Sequence, residues 1–361
     1  MTLRRAVDTA SKIRRITIRG KKRMWAMKTI WAFALGAFMI STQAMAISEQ
    51  NYAQDMATEV MPFYATGIHG SFAGKDGVPI STIKFENPNE IGAIIIVNGR
   101  AETYDLYAEP IYDLAQAGYS IYTYDHRGQG YSGRLLADPQ KGHVEHFDDY
   151  VDDLTTFIRT VVDSKPHAKR YILGHSMGGA IATLYGLRNP KAIDAYALSS
   201  PMFGFNTAPY SNIIAQLIVF SNILVGRADD FAKGQGPYNT AETFATNVLT
   251  TSQLRWDTRH AVIIDHPVVQ VGGPTNRWVN EALDACAGLI AEAKNFTPPA
   301  IVFQAGNDQV AIEAREAQFC SAAQHCTLGA TYPKGKHELI REQDYIRTDL
   351  YQRAIKFFSE N

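Results

Sequence analysis

Ser176 stands in the run Tyr171-Ile172-Leu173-Gly174-His175-Ser176-Met177-Gly178-Gly179-Ala180. A short apolar stretch ends at Gly174, and two glycines after Ser176 lead into Ala-Ile-Ala-Thr-Leu-Tyr. Gly-His-Ser-Met-Gly fits the G-x-S-x-G pattern, in which a strand turns sharply into a helix and lifts a serine hydroxyl clear of a sheet. The flanking glycines are needed because a Cβ there would collide with the neighbouring strand or helix. A serine hydroxyl is a poor nucleophile until a base takes its proton, and the base needs a third group to hold it. The chemistry to look for is acyl transfer through a covalent intermediate.

For a serine on such an elbow the chain order is serine, acid, histidine, so both partners are sought after Ser176. Of the ten histidines, His69, His126, His143, His146, His167 and His175 precede it. His260 and His266 fall in a stretch with no strong strand run, and His325 sits at the wrong end of the last strand. His337 follows that strand, in Pro333-Lys334-Gly335-Lys336-His337-Glu338. Sites in open α/β sheets gather at the carboxyl ends of strands, which selects His337 as the base. The strand Ile301 to Ala305 runs into Gly306-Asn307-Asp308. Asp308 is therefore the acid expected to accept the His337 ring N–H, fix the tautomer and stabilise the imidazolium. Glu313 and Glu316 fall inside the next helix and are worse placed. An oxyanion needs preorganised donors. These are expected to be the backbone N–H of Met177 and that of Arg100, in the loop Asn98-Gly99-Arg100-Ala101-Glu102. A contact from the Arg100 side chain to an anionic headgroup is the less favoured reading.

The elements that must carry these residues alternate. Gly92 to Val97, Tyr119 to Tyr124, Tyr171 to Leu173, Ala195 to Ser199, Ala300 to Ala305 and Thr327 to Tyr332 read as strands. Their near-continuous apolar character suits a parallel sheet buried on both faces. Asp105 to Ala117, Asp148 to Ser164, Met177 to Arg188 and Arg347 to Phe358 read as helices between or after them, and His69 to Ala73 with Pro79 to Phe85 as a hairpin. The fold class is α/β, a mostly parallel central sheet covered by helices on both faces. Asn51 to Ala65 reads as a polar stretch on the surface. The alternation breaks between Pro201 and Pro298, where Ile213 to Ile223, Phe244 to Leu249 and Trp278 to Ala293 are helix candidates. We read residues 203–297 as an inserted helical cap that encloses an apolar site. His143 and His146 with the acids after them suit a helix start rather than a metal, and Gly128-x-Gly130 is too short for a dinucleotide fingerprint. No metal or other cofactor is expected.

The first 46 residues stand apart. Residues 1–28 carry ten basic residues and one acid, an uncharged run of about 18 residues follows, and it closes on Ala44-Met45-Ala46. Basic region, apolar region and small-x-small site make an export signal. The expected location is therefore periplasmic or secreted, the alternative being an uncleaved inner-membrane anchor. Of 35 basic and 36 acidic residues, removing the segment leaves 25 and 35, a net charge of −10. That argues against a nucleic-acid partner. Export allows a disulfide, for which Cys320 and Cys326 are the pair and Cys286 is left over; three free thiols are the equal alternative.

Longer runs carry a resemblance. Asp125-His126-Arg127-Gly128-Gln129-Gly130-x-Ser132-Gly133-Arg134-Leu135-Leu136-Ala137-Asp138-Pro139, the elbow run, Ser199-Ser200-Pro201-Met202-Phe203-Gly204, Asn247-Val248-Leu249-Thr250 and Val271-Gly272-Gly273-Pro274-Thr275 resemble the α/β-hydrolase branch of monoacylglycerol lipases and lysophospholipases. The likeness is greatest to bacterial lysophospholipases of the L-two type. It implies a serine carboxylic-ester hydrolase acting on single-chain lipids, lysophospholipids first, with association at a membrane surface. A monoacylglycerol lipase, an aminopeptidase of the same superfamily and a non-catalytic lipid-binding protein are the other readings. Lipase relatives carry His-Gly where this chain has Asn98-Gly99.

Overall fold

The computed structural model describes residues 47–361. The export-signal reading of residues 1–46 lies outside the described residues. Eight strands form one sheet in the order β1-β2-β4-β3-β5-β6-β7-β8. These are β1 (Ile68–Ala73), β2 (Pro79–Phe85), β3 (Ala93–Val97), β4 (Ser120–Tyr124), β5 (Arg170–His175), β6 (Ala195–Ser199), β7 (Ala300–Ala305) and β8 (Cys326–Tyr332). β1 and β2 form the expected antiparallel hairpin, and β2 is antiparallel to β4. Every pairing from β4 through β3 to β8 is parallel.

The apolar runs divide by alternation. Ala93, Ile95 and Val97 of β3 join the core on one face, while Ile94 and Ile96 join the core on the other. Successive strand side chains point to opposite faces, so a run buried on both sides must be apolar throughout. Helices α1 (Ala108–Gln116), α2 (Asp148–Thr160) and α3 (Met177–Arg188) follow β3, β4 and β5. α2 and α3 supply the first core, and α1 the second.

Between β6 and β7 the chain leaves the sheet and forms α4 (Asn212–Leu224), α5 (Gln253–Asp265) and α6 (Asn276–Glu292). Phe244 to Leu249, expected as a helix, holds only a single turn, Phe244–Thr246. The Asn247 side chain there accepts from the amides of Leu249 and Thr250 at 2.9 and 3.0 Å, a local bond that competes with helix. α5 was not expected. Its inward face carries the buried Arg255 and Arg259 beside Trp256 and Ile263, so the apolar period that marks a helix is interrupted. α7 (Glu313–Ala322) and α8 (Asp344–Glu360) complete the layers. Residues 51–65 do not lie on the surface as a polar stretch. They are helical from Tyr52 to Tyr64 and bury Tyr52, Val60 and Tyr64 in the second core, on a four-residue spacing diluted by polar neighbours. A disulfide joins Cys320 and Cys326, and Cys286 is free and buried.

The strand order decides where a site can form. β3 leads outward to β4 on one side, and the chain then crosses back to β5 on the other. That reversal opens a crevice at the carboxyl ends of β3 and β5. The end of β3 is packed directly against the elbow. A Cβ on Gly178 would overlap the carbonyl oxygens of Val97 and Asn98. Gly178→Ala is therefore expected to lose about 3 kcal/mol or more of stability, since backbone cannot be displaced cheaply. A thermal melt within about 2 °C of wild type would contradict this packing.

Candidate active site

β5 ends at His175, and Ser176 takes φ 51° and ψ −121° before α3 begins at Met177. A serine in that region is strained. The turn is held by the Ser176 amide, which donates to Ser199 O at 3.1 Å, and by Met202 N, which donates to Ser176 O at 2.9 Å. Ser176 is buried, with 7% of the residue exposed. His337 and Asp308 arrive from the loops after β8 and β7. Ser176 Oγ is 2.8 Å from His337 Nε2, and His337 Nδ1 is 2.8 Å from Asp308 Oδ2. Asp308 Oδ1 accepts from the amides of Val310 and Ala311 at 2.7 and 2.9 Å. Burial alone would raise the Asp308 pKa. The hydrogen bond and charge of His337, with those two amides, outweigh it and hold the carboxyl below its usual value. The structure thus brings together all three residues that the sequence order had selected.

The two expected oxyanion donors lie on either side of the crevice. Met177 N–H is at the first position of α3, where helical amides have no partner within the helix. The Arg100 amide is in the loop that follows β3. That loop is braced from within. Ala101 takes φ 56°, and its amide donates to Gln129 Oε1 at 2.5 Å. Glu102 Oε2 accepts from Gly99 N at 2.5 Å and from the Tyr107 hydroxyl at 2.6 Å. Asn98 leans its amide towards Asp125 at 3.4 Å, and its carbonyl meets His126 Nε2 at 2.8 Å. Burial pushes the Asp125 carboxyl up to about 7, although the amides of Tyr131 and Tyr104 and the Thr103 hydroxyl oppose the rise.

A second layer of charge was not visible in the sequence. Glu102 Oε1 is bonded by Arg341 Nη2. Arg341 Nε donates to Glu338 Oε2 at 3.0 Å, and Arg259 Nε of α5 donates to Glu338 Oε1 at 3.1 Å. All four side chains are enclosed. This chain of alternating charge ties the loop after β3 to the residue beside His337 and then to the insertion. For Glu102, burial acts to raise the pKa, but Arg341 and then His175 outweigh it and hold the group well below the carboxylate range. Glu338 is lowered in the same way by Arg341 and Arg259. His175 and His126, both buried, are pushed down to about 4 and are neutral. The only local signal for this layer was Glu102 itself, in a loop where charge is ordinarily solvated.

The family-like runs now have structural work. Asp125 holds the loop after β3, and Arg127 bonds Asp153 of α2 at 2.6 and 2.7 Å. Gly130 must lack a side chain because a Cβ would overlap the Asp125 carboxylate. Lys336 Nζ donates to Asn247 O at 2.8 Å, and Glu338 N to Leu249 O at 2.7 Å, so the Asn247 run seats the histidine loop. Gly272 N donates to Gln140 O, and Thr275 N to Gly142 O, at 2.7 and 2.9 Å. His143 Nδ1 meets Thr275 Oγ1 at 2.9 Å, a packing role.

A family model described as Hydrolase_4, serine aminopeptidase S33, matches residues 88–344. The chain is an α/β hydrolase of this family. The hydrolase is 38% identical over 305 residues to lysophospholipase L2 of Escherichia coli, covering 83% of this chain and 89% of that protein. It is 30% identical over 319 residues to the probable lysophospholipase L2 of Haemophilus influenzae, covering 87% and 99%. Among solved structures it is similar to a soluble variant of monoglyceride lipase from Saccharomyces cerevisiae, with TM-score 0.64, 18% identity and coverage of 81% and 96%. At that identity the likeness speaks for the fold.

Two outcomes follow from the buried charges. Glu102→Gln is expected to lower kcat on a soluble ester by roughly tenfold to a hundredfold, with KM changed by less than about threefold; an unchanged kcat would remove Glu102 from the support of the site. The folded-state pKa values of Glu102 and Glu338 lie below their unfolded values near ~4.3. Their stabilisation is therefore complete above about pH 5 and is lost as pH falls towards the folded values. Denaturant titrations at pH 7 and pH 4 should show a larger loss for wild type than for Glu102→Gln.

Proposed function

We propose that this hydrolase releases a fatty acid from lysophospholipids. The observation that carries the chemistry is the unbroken line Asp308–His337–Ser176, with 2.8 Å at each step. In this reading Ser176 Oγ attacks the acyl carbonyl while His337 Nε2 takes its proton. The tetrahedral oxyanion is stabilised by the backbone N–H groups of Met177 and Arg100. His337 then gives the proton to the departing glycerol oxygen, leaving an acyl-enzyme. Water attacks this ester by the same route in reverse, with His337 as base and then acid, and fatty acid leaves. Asp308 stays ionised and holds the imidazole in the tautomer that points Nε2 at the serine. No cofactor enters these steps.

The substrate class rests on the relatives named lysophospholipase L2. Those named monoacylglycerol and monoglyceride lipases support the second reading, the same chemistry on a neutral glycerol head. An aminopeptidase would need a carboxylate free to meet a substrate amine. The buried carboxylates beside the serine are each engaged: Glu102 and Glu338 by arginines, Asp125 by backbone amides and Asp308 by His337.

The protein in this reading works at a lipid surface. α4 carries no charged residue, and it exposes Ile213, Ile214, Leu217, Phe220 and Leu224. An apolar face of this size on a soluble protein marks an interaction site, and single-chain lipid in a bilayer or micelle is the occupant that suits the substrate. Export to the periplasm or beyond is supported by the signal-like residues 1–46 and by the Cys320–Cys326 disulfide, which persists in oxidising compartments.

Ser176→Ala should abolish fatty-acid release from lysophosphatidylcholine and labelling by a fluorophosphonate; retained release would place the chemistry elsewhere. Asp308→Asn should lower kcat by roughly a thousandfold to ten-thousandfold, as a wrong tautomer does. Leu217→Glu with Phe220→Glu should weaken binding to phospholipid vesicles and slow turnover of vesicle-borne lipid more than that of a soluble ester. Equal effects on both substrates would remove α4 from the membrane role.

A further inference from the structure

Among the described residues the five most buried arginines have carboxylate partners, whereas the half-buried Arg100 and Arg134 have none. Arg127 meets Asp149 and Asp153, Arg255 meets Glu109 and Asp344, Arg341 meets Glu102 and Glu338, and Arg347 meets Glu109 and Asp113. Arg100 has no carboxylate partner among the described residues. Its Nη2 donates to the carbonyl of Gly272 at 2.6 Å, and its Nε is enclosed with no acceptor. Burial with no anion beside it pushes its pKa down to about 10. A cation in this state is costly to keep, because no counter-ion offsets its partial desolvation.

The surroundings are donors as well. The Arg100 guanidinium stands 5.1 Å from the ring centroid of Trp278, at the start of α6. Tyr150 of α2 lies against both Arg100 and Trp278. The Tyr150 hydroxyl and the Trp278 indole N–H are enclosed beside one another, with the Gln129 side chain also within reach of the hydroxyl, and neither meets an anion. The side chain is laid in a slot cut for it, since a Cβ on Gly142 would overlap the guanidinium. Three elements thus deliver a fixed cation and two polar groups to one place, and none delivers an anion.

We infer that the Arg100 guanidinium receives the phosphate of the lysophospholipid headgroup while the acyl carbonyl lies over Ser176. This rests on the lysophospholipid reading above and adds the residue that selects it over a neutral glycerol ester. The reach is right. In a 1-acyl lysophospholipid the phosphorus is as many bonds from the acyl carbonyl carbon as Arg100 Cζ is from its own backbone nitrogen. That nitrogen is the expected second oxyanion donor, so in this reading the side chain matches the substrate in length from the reacting carbonyl to the phosphate. A planar guanidinium is suited to phosphate oxygens. Compensation of the buried charge comes only with the anionic substrate, so a neutral monoacylglycerol leaves it unpaired.

The test uses the whole protein and two substrates with the same acyl chain, lysophosphatidylethanolamine and monoacylglycerol. Arg100→Met keeps the length and the backbone amide and removes the charge. The ratio of kcat/KM for the phospholipid to that for the neutral ester is expected to fall by on the order of tenfold to a hundredfold. Arg100→Lys should give an intermediate ratio, and it serves alone if the Met variant does not fold. Independently, sn-glycero-3-phosphocholine should compete with monoacylglycerol for the wild type and lose this effect in the variant. Inorganic phosphate at matched ionic strength should compete less well. An unchanged ratio would reduce Arg100 to a tie between the loop and Gly272 and overturn the proposal, as would equal competition by inorganic phosphate. Wild-type protein that turns over monoacylglycerol but no lysophospholipid would sink the substrate reading and the Arg100 assignment together, while leaving the serine chemistry intact.

Discussion

The close approach of α3 to the end of β3 is the constraint on which the site depends. At Gly178 the helix backbone comes so near the carbonyls of Val97 and Asn98 that no side chain fits between them. This contact sets the Met177 amide against the loop carrying the Arg100 amide. It also fixes the serine in a conformation that a relaxed turn would not adopt, with φ at 51°. Donors that must meet a short-lived oxyanion have to be in place before it forms. A backbone-to-backbone contact supplies that fixity without depending on side-chain rotamers.

The loops that meet at the crevice come from the ends of β3, β5, β7 and β8, and loops do not hold themselves still. Here the fixing is electrostatic. Arg341 stands between Glu102, which grips the Gly99 amide, and Glu338, the neighbour of His337. Removing charge from water is expensive, and an enclosed carboxylate is stable only with its partner in place. The loop after β3 and the histidine loop are therefore bound to one arrangement, and Arg259 extends the bond to the insertion. The residues that carry out chemistry and those that hold them are distinct sets. The second set is as buried as the first.

The insertion touches the site on two sides. Through Leu249 and Asn247 it seats the histidine loop, and through Gly272 and Trp278 it encloses Arg100. It also presents the uncharged, outward-facing α4.

Much of this was legible in the sequence. Unbroken apolar runs imposed a parallel sheet, because strands covered on both faces cannot alternate. The glycine spacing around Ser176 imposed an elbow, since only glycine tolerates such approach. Chain order and strand ends then singled out Asp308 and His337. Each of these is a local pattern with a local cause. The helix α5, the helical residues 52–64 and the charge chain through Arg341 were not legible. In α5 buried arginines occupy positions that apolar residues would mark, and a charged residue reads as solvated until its partner is seen. Glu102 and Arg341 are 239 residues apart, and the lack of a carboxylate beside Arg100 is likewise a property of the fold rather than of its local sequence. The sequence by itself determined which groups could react. Only the tertiary structure decided which charges are paired, because pairing depends on neighbours that no spacing along the chain reveals.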